Sequence, residues 1–219
     1  MREHSDANAA TPSGGHWLHS YLIRQFRRPS GFVGRLAGWS MAHRPSNRQR
    51  NRWTVDLLRL RPGERVLEIG FGPGLALRHA AEQVGASGHV VGVDPSEVMV
   101  GHAGRRNRVA IAEGRMTLHV GHVERLPEFD AGFDAIMAIN TIGFWSDPTA
   151  RLEELRQRLR PAGRLAVTVQ PRSPGATAAT SQRVCLELEE RFKEAGFIEV
   201  SSHTLPLSPP AVCIIGQIV

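Results

Sequence analysis

The sequence predicts an α/β protein with a doubly wound, mainly parallel sheet of seven strands, an antiparallel edge strand pair and N-terminal cap helices. Short apolar runs alternate with helical patterns along residues 61–219, which is typical of βαβ units. A glycine-rich turn follows the first apolar run. Only a short proline-containing stretch separates the last two runs, and strands that lack a crossover helix are expected to pair antiparallel.

The chain before residue 61 is expected to form a tail and a helical cap. Residues 1–15 are small and polar, which predicts a disordered tail. Residues 16–60 have broken helical patterns and form the predicted cap. Its most regular helix is expected between Ser46, as the N-cap, and Leu60. The apolar positions that fall near one face of this helix are Trp53, Leu57, Leu58 and Leu60.

Residues 61–219 are expected to form one domain that holds the whole sheet. The predicted strands cover residues 66–69, 89–93, 116–120, 133–139, 164–169, 197–200 and 211–218. The predicted helices cover residues 76–84, 96–106, 147–159 and 179–195. Asp147 and Pro148 are typical of a helix start, and Gly196 is typical of a helix end. Leu152, Leu155 and Leu159 would form the apolar stripe of the third helix.

The composition excludes several classes of protein. No apolar run approaches the roughly 20 residues that a membrane span requires. The polar N-terminus lacks the apolar core of a secretory signal, so the expected location is the cytoplasm. Cys185 and Cys213 lie far apart and form no CxxC pair. They are expected to be buried thiols, and no metal site is expected.

The positive charge is concentrated near the N-terminus. The chain carries a net charge of +6. Residues 22–61 contain ten arginines against one acidic residue, Asp56, which is a net of +9 and leaves −3 for the rest. Such a segment could bind an anionic substrate, a membrane surface or RNA. It could equally be the solvent-exposed face of the predicted helices.

The turn after the first strand predicts a ligand site. Residues 66–77 read V-L-E-I-G-F-G-P-G-L-A-L, with Gly70, Gly72 and Gly74 where the strand gives way to a helix. Glycines there allow positive φ and close approach of a ligand to the backbone. A dinucleotide motif would need a small residue at the position of Leu75. A Walker A loop would need Gly-Lys-Ser/Thr, which is absent. The pattern that remains is E-x-G-x-G-x-G, which starts at Glu68.

This pattern resembles the first motif of the class I S-adenosylmethionine-dependent methyltransferases, which share a Rossmann-like fold. The resemblance covers roughly residues 60–219 and implies S-adenosyl-L-methionine as the cofactor. It implies that Glu68 lies near the cationic amino acid part of the cofactor, directly or through water. The cofactor would lie along the glycine loop, which comprises Gly70, Phe71, Gly72, Pro73 and Gly74.

The second strand ends at Asp94, whose carboxylate can accept hydrogen bonds from both ribose hydroxyls. This carboxylate alone does not distinguish a site for S-adenosylmethionine from a site for a dinucleotide. The family resemblance implies that Pro95 and Ser96 border the nucleoside and that Met99 packs on the adenine.

The third and fourth strands resemble family segments that also contact the cofactor. His122 occupies a position where the family often has aspartate, so it would stack on or bond the adenine instead, beside the Val123 backbone N–H. The backbone carbonyl of Asn140, at the end of the fourth strand, would meet the ammonium group. Met41 and Asn47 are expected near the methionine end by their spacing before the first strand.

The acceptor site has weaker signals, and no general base is identified. In the family, N-terminal helices fold over the cofactor, so His43 is a candidate wall residue. Trp39, Phe144 and Trp145 would line an apolar pocket, although core packing also explains them. The pattern [DN]-P-P-[YF], typical of adenine and glutamine nitrogen methylation, is absent after the fourth strand. Cysteines suited to cytosine or arsenite chemistry are also absent.

These residues favour a methyltransferase that acts on an O, N or C atom of a small-molecule acceptor. RNA or an anionic lipid headgroup is the alternative acceptor, suggested by the basic segment. A non-catalytic cofactor-binding protein on the same fold is a further alternative, because fold does not fix function. A nicotinamide dehydrogenase is less favoured because of Leu75. A homodimer is among the expected assemblies.

Overall fold

A computed structural model describes residues 45–219, in which seven strands alternate with helices. The strands are β1 (Arg65–Ile69), β2 (His89–Asp94), β3 (Met116–Val120), β4 (Phe133–Ile139), β5 (Leu159–Val169), β6 (Glu199–Leu205) and β7 (Ala211–Gln217). The helices are α1 (Pro45–Leu58), α2 (Leu75–Val84), α3 (Glu97–Arg106), α4 (Arg108–Ala112), α5 (Pro148–Gln157) and α6 (Ala178–Glu194), with a 3-10 turn at Ile142–Phe144. None of these helices combines the length and the apolar character that a membrane span requires.

The sheet has the order β3-β2-β1-β4-β5-β7-β6. Strands β1 to β5 pair in parallel, and β7 pairs antiparallel with both β5 and β6. The doubly wound sheet and its antiparallel edge pair are therefore confirmed. Strand β7 lies inside the sheet, and β6 forms the edge.

Successive side chains of a strand point to opposite faces of the sheet, so the apolar residues of each strand contribute to a core on both faces. On one face, Leu67 of β1 belongs to a buried cluster with Leu155 of α5 and Phe192 of α6. On the other face, Val66 belongs to a second cluster with Leu58 of α1 and Leu77 of α2. Each face of the sheet is thus covered by helices, as doubly wound folds require.

An arginine of β5 anchors the end of helix α1 to the sheet. Arg164 on β5 donates from Nε to the Leu58 carbonyl at 2.6 Å and from Nη2 to the Arg59 carbonyl at 3.2 Å. The same guanidinium forms an ion pair with Glu64 at 2.7 Å. These bonds satisfy carbonyls at the end of α1 that have no partner within the helix. They fix the helix against the strand that runs beneath it.

Several predicted boundaries are correct. Asp147 caps α5, since its Oδ1 accepts from the Ala150 N–H at 3.2 Å, and Pro148 opens the helix. Gly196 ends α6 with a φ of 81°. The predicted tail and the cap residues before Pro45 lie outside the described residues.

Other boundaries differ from the prediction. Helix α1 begins at Pro45, so Ser46 lies inside it and is not the N-cap. Leu159 belongs to β5 rather than to the apolar stripe of α5, because that strand starts five residues earlier than its apolar run. Strand β6 starts at Glu199, after Phe197 has packed into the core. The short helix α4 has no capping or periodic signal that predicts it.

Replacement of Leu155 by alanine should destabilise the domain strongly. Leu155 is fully buried between α5 and the sheet. The loss of a buried leucine side chain costs about 2–5 kcal/mol, which includes the cavity left behind. Urea unfolding measures this change. The exposed neighbour Glu153, replaced by alanine, is the matched control and should change stability by less than about 0.5 kcal/mol. An equal effect of both substitutions would contradict the packing of α5.

Candidate functional site

The site lies where the strand order reverses, between β1 and β4. Ligands of doubly wound sheets bind at this crevice, outside the carboxyl ends of the strands. The chain leaves β1 through Gly70, whose N–H donates to the Val93 carbonyl at 2.7 Å and whose φ is 70°. A Cβ at Gly70 would lie 2.3 Å from Cγ2 of Thr141, the residue that follows Asn140 after β4. Only glycine therefore lets the two loops meet.

Asp94 at the end of β2 organises the glycine loop. Its Oδ2 accepts from the Gly72 N–H at 2.8 Å, and its Oδ1 accepts from the Ser96 N–H at 2.9 Å. Gly72 has a φ of 52°, and a Cβ there would meet no atom within 4 Å. The loop is thus held by the carboxylate from below and leaves open space above its backbone.

A cavity of about 600 Å³ opens above this loop. Such a volume is within the range of roughly 300–1,000 Å³ that is usual for small-molecule sites. Most of the residues predicted from the sequence lie in its wall. They are Asn47, Glu68, Gly70, Phe71, Gly72, Pro73, Asp94, Pro95, Met99, His122, Val123, Asn140, Phe144 and Trp145.

Two predicted residues of the described range, Gly74 and Ser96, do not lie in this wall. Gly74 opens α2 and packs against α3, where a Cβ would come within 2.7 Å of the Ala103 Cβ. Ser96 caps α3 by accepting from the Met99 N–H. Both residues support the loops from beneath. Predicted residues Trp39, Met41 and His43 lie outside the described part of the chain.

Glu68 is a buried acid in the cavity wall, with 1% of its surface exposed. Burial and the neighbouring charge of Asp94 raise the pKa of Glu68 well above its usual range, although the Leu77 backbone N–H opposes the rise. Its Oε2 has no hydrogen-bond partner within residues 45–219. A buried oxygen without a partner is unfavourable. It therefore fits a ligand that brings a cation or a hydrogen-bond donor.

Asp94 is also buried, and its environment is more polar. Burial raises the pKa of Asp94, while the N–H groups of Ser96 and Gly72 and the nearby His122 oppose the rise. A carboxylate can accept about four hydrogen bonds. Within residues 45–219 the backbone uses two of these positions, so Asp94 has capacity to accept from a pair of ligand hydroxyls.

The opposite wall comes from the ends of β4 and β5. Asn140 has a φ of 58°, and its Oδ1 accepts from the Gln170 N–H at 2.7 Å. The side chain of Asn140 thus joins the two strand ends. Trp145 is buried, whereas Phe144 is 46% exposed although both line the cavity. Their rings give this end of the cavity an apolar wall.

Sequence reasoning missed a polar group on the same wall: Arg50 of α1 and Gln170 and Arg172 after β5. Arg50 donates to Gln170 Oε1 at 2.6 Å and to Asn47 Oδ1 at 2.6 Å. Arg50 and Gln170 are separated by 120 residues. No local pattern reveals such a contact, although the excess of arginines in the segment that contains Arg50 was a general signal.

These features fit a nucleoside with a cationic amino acid arm. The open backbone above Gly72 suits close approach of a ligand, and Asp94 suits a ribose. The Glu68 oxygen that lacks a partner among the described residues suits a positively charged group. Within residues 45–219, no cluster of three or more His, Cys, Asp or Glu side chains could hold a metal ion.

Comparison with known proteins identifies the family. A family model described as a methyltransferase domain matches residues 66–163. The chain is 29% identical to the uncharacterized methyltransferase YdaC of Bacillus subtilis, over 81% of this chain and 95% of that protein. It is 32% identical to the nocamycin O-methyltransferase of Saccharothrix syringae, over 74% of this chain and 70% of that protein.

The fold matches that of a solved methyltransferase as well. A SAM-dependent methyltransferase from Aquifex aeolicus superposes with a TM-score of 0.65 at 22% identity, over 83% of this chain and 98% of that chain. At this identity the likeness concerns the fold alone. Together with the sequence relatives, it shows that the chain belongs to the class I S-adenosylmethionine-dependent methyltransferases and that S-adenosylmethionine is its cofactor.

Proposed function

We propose that this enzyme transfers the methyl group to an O, N or C atom of a small molecule. The observation that carries the proposal is the cavity of about 600 Å³, which has buried acids at one end and an aromatic wall at the other. A concave site of this kind suits a compact acceptor that is enclosed beside the cofactor. Similarity to the nocamycin O-methyltransferase supports the same class of acceptor.

The acids and the glycine loop would hold the cofactor. Asp94 would accept hydrogen bonds from the ribose hydroxyls, and Glu68 would face the amino acid end. Met99 and His122 would border the adenine, beside the Val123 N–H. Gly70 and Gly72 would leave the space that the cofactor occupies.

The chemistry requires little more than orientation. When bound, S-adenosylmethionine supplies a methyl group on a positively charged sulfur that a nucleophile can displace. The cavity wall would hold the acceptor atom in line with that methyl group, and proximity of this kind provides much of the acceleration. Phe144 and Trp145 would exclude water from the acceptor side. A general base is not assigned.

Two other functions remain as alternatives. The arginine-rich segment suggests an RNA or anionic lipid acceptor. In the part of this segment that the structure describes, residues 45–61, Arg52 forms an ion pair with Asp56 at 3.8 Å, and Arg50 is buried and donates to Asn47 and Gln170. A cofactor-binding protein without catalysis is the second alternative, and methyl transfer to any acceptor would exclude it. The cytoplasmic location and the homodimer stay predictions.

Replacement of Asp94 by alanine should weaken cofactor binding. The substitution removes a charged acceptor of ligand hydrogen bonds and two bonds that hold the loop, so we expect a loss of about 1.5–3 kcal/mol. Calorimetric titration with S-adenosylhomocysteine measures it. The control is Glu128→Ala, which removes one negative charge at an exposed position outside the cavity wall. Unchanged affinity in Asp94→Ala would refute its assignment to the ribose.

Replacement of Glu68 by glutamine should stabilise the ligand-free protein and weaken cofactor binding. The pKa of Glu68 is raised in the folded state, so the folded state retains a proton that the unfolded state releases. Stability therefore falls as pH rises above the unfolded pKa, and glutamine removes this fall. The midpoint of thermal unfolding should exceed that of wild type at about pH 7, with a difference that shrinks toward about pH 4.5.

Calorimetry of the same variant should show roughly tenfold weaker binding of S-adenosylhomocysteine, because a charge-assisted contact is lost. Glu128→Gln, at an exposed position, should change neither quantity. If Glu68→Gln destabilised the ligand-free protein at neutral pH, the acid would have a structural partner and the proposed role would be wrong.

The acceptor class can be tested by salt dependence. We expect no binding to RNA or to phosphatidylglycerol vesicles at about 50 mM salt, as measured by gel mobility shift and vesicle sedimentation. Binding through phosphates would weaken steeply with added salt. Retention at low salt that is lost at high salt would favour the RNA or lipid alternative over a small molecule.

A further inference from the structure

A second cavity, which we call the α2–α4 cavity, lies between α2 and the segment that runs from the end of α3 to the residue before β3. Its volume is about 740 Å³, and among the described residues it shares no wall residue with the cavity above the glycine loop. The charged side chains of its wall are Arg78, Glu82, Arg106, Arg108, Glu113 and Arg115. Four arginines against two glutamates give this wall a net charge of +2, which favours an anionic ligand.

The two acids of this wall are paired with two of its arginines. Arg78 donates from Nε to Glu82 at 2.9 Å, and Arg115 donates from Nε to Glu113 at 2.9 Å. Arg115 also donates to the Ala81 carbonyl at 3.3 Å, which ties it to α2. The acids therefore offset the charges of these two arginines, and the net positive charge of the wall belongs to the other two.

Those two arginines, Arg106 and Arg108, have no carboxylate partner among residues 45–219. Arg106 donates from Nη1 to the Pro73 carbonyl, and its other N–H groups have no partner in this range. Arg108 is exposed, and its side chain forms no hydrogen bond or ion pair with the described residues. One lies at the end of α3 and the other at the start of α4. Both guanidinium groups can therefore donate to a ligand in the α2–α4 cavity.

Arg106 is half-buried and lies close to other positive charges. Burial, followed by the charges of Arg48 on α1 and Arg78 on α2, lowers the pKa of Arg106. Like charges that are brought together at a partly buried position are unfavourable. A bound anion would offset this repulsion, so the arrangement favours an occupied cavity.

We propose that the α2–α4 cavity binds the phosphate group of a small ligand through Arg106 and Arg108. The inference goes beyond the proposed function, since it concerns a different cavity. A phosphate group carries nearly two negative charges at neutral pH and has three acceptor oxygens. The planar N–H donors of arginine match such oxygens in pairs. A carboxylate, with one charge and two oxygens, would use two guanidinium groups less fully.

A purely structural role explains only part of this arrangement. The bond from Arg106 to the Pro73 carbonyl supports the glycine loop, and Asn107 Nδ2 supports the same loop by donating to the Gly74 carbonyl at 3.2 Å. This support uses Nη1 of Arg106 and does not involve Arg108. It therefore leaves the second arginine and the cavity between the helices unexplained.

The phosphate group can come from two sources. Free inorganic phosphate would contact the arginines alone. A phosphate ester would also place its organic part against apolar side chains of the same wall, among them Ala110 and Val109, which is 57% exposed. The volume of about 740 Å³ is much larger than one phosphate ion and is typical of sites for small organic molecules, which favours the ester.

The test compares wild type with Arg106→Gln, Arg108→Gln and the control Arg105→Gln. Arg105 is exposed, belongs to the same last turn of α3 and lies outside the cavity wall, so its replacement removes an equal charge one residue away. The probes are inorganic phosphate and phenyl phosphate, titrated in a buffer without phosphate and followed by phosphorus NMR. Arg108→Gln is the decisive variant, because Arg106 also supports the glycine loop.

Wild type and Arg105→Gln should bind phenyl phosphate with equal affinity. Arg106→Gln and Arg108→Gln should bind it roughly 10-fold more weakly, since each loses a charge-assisted hydrogen bond. Phenyl phosphate should bind more tightly than inorganic phosphate if an ester is the ligand, whereas equal affinity of the two probes would assign the cavity to free phosphate. Affinity of Arg108→Gln for S-adenosylhomocysteine, measured by calorimetry, should equal that of wild type.

The inference is overturned if wild type binds neither probe at about 10 mM. It is also overturned if Arg105→Gln weakens binding as much as Arg108→Gln, which would indicate general attraction to a basic surface. Binding of poly(U) at about 50 mM salt that is lost in the Arg106 and Arg108 variants would overturn it as well, because the arginines would then contact a nucleic acid backbone. The first two results leave the proposed function intact, and the third favours its RNA alternative.

Discussion

Two buried carboxylates, Glu68 and Asp94, lie close together at the carboxyl ends of β1 and β2, and the architecture of the site depends on this arrangement. Burial and the charge of Asp94 raise the pKa of Glu68, so the folded protein avoids two like charges in one buried region. Asp94 is stabilised by N–H groups of two loops and thereby holds the glycine turn. One oxygen of Glu68 has no hydrogen-bond partner among residues 45–219, and a cationic ligand would offset this unfavourable burial. The buried acids thus lower the stability of the ligand-free protein and favour ligand binding.

The polar contacts between α1 and β5 have a complementary role. Helices of doubly wound folds usually pack on the sheet through apolar side chains, and Val55 and Leu58 do so here. Toward the start of the helix the contacts become polar: Thr54, the neighbour of Val55, is bonded to Thr168, and one turn earlier Arg50 is bonded to Gln170. The change from apolar to polar contacts coincides with the edge of the cavity. The same helix therefore serves both the core and the site.

The sequence predicted what is encoded in contiguous residues. Glu68, the glycine loop and Asp94 sit at strand ends, and parallel strands bring their carboxyl ends to one edge, so their convergence follows from the order of elements. The start of β5 could not be predicted, because it depends on a contact across the sheet: Leu159 pairs with Phe133 of β4, and the register shifts before pairing resumes at Arg164. The contact of Arg50 with Gln170 could not be predicted either, because it depends on how α1 packs against the folded sheet.

The position of β7 has a consequence for how the chain is made. This strand separates β5 from β6, yet residues 211–217 leave the ribosome after every other element described here. Until they emerge, β5 presents an unpaired edge with Leu165 and Val167 on it, and exposed strand edges promote association between chains. Late closure of the sheet therefore leaves an edge at which incompletely folded chains can associate.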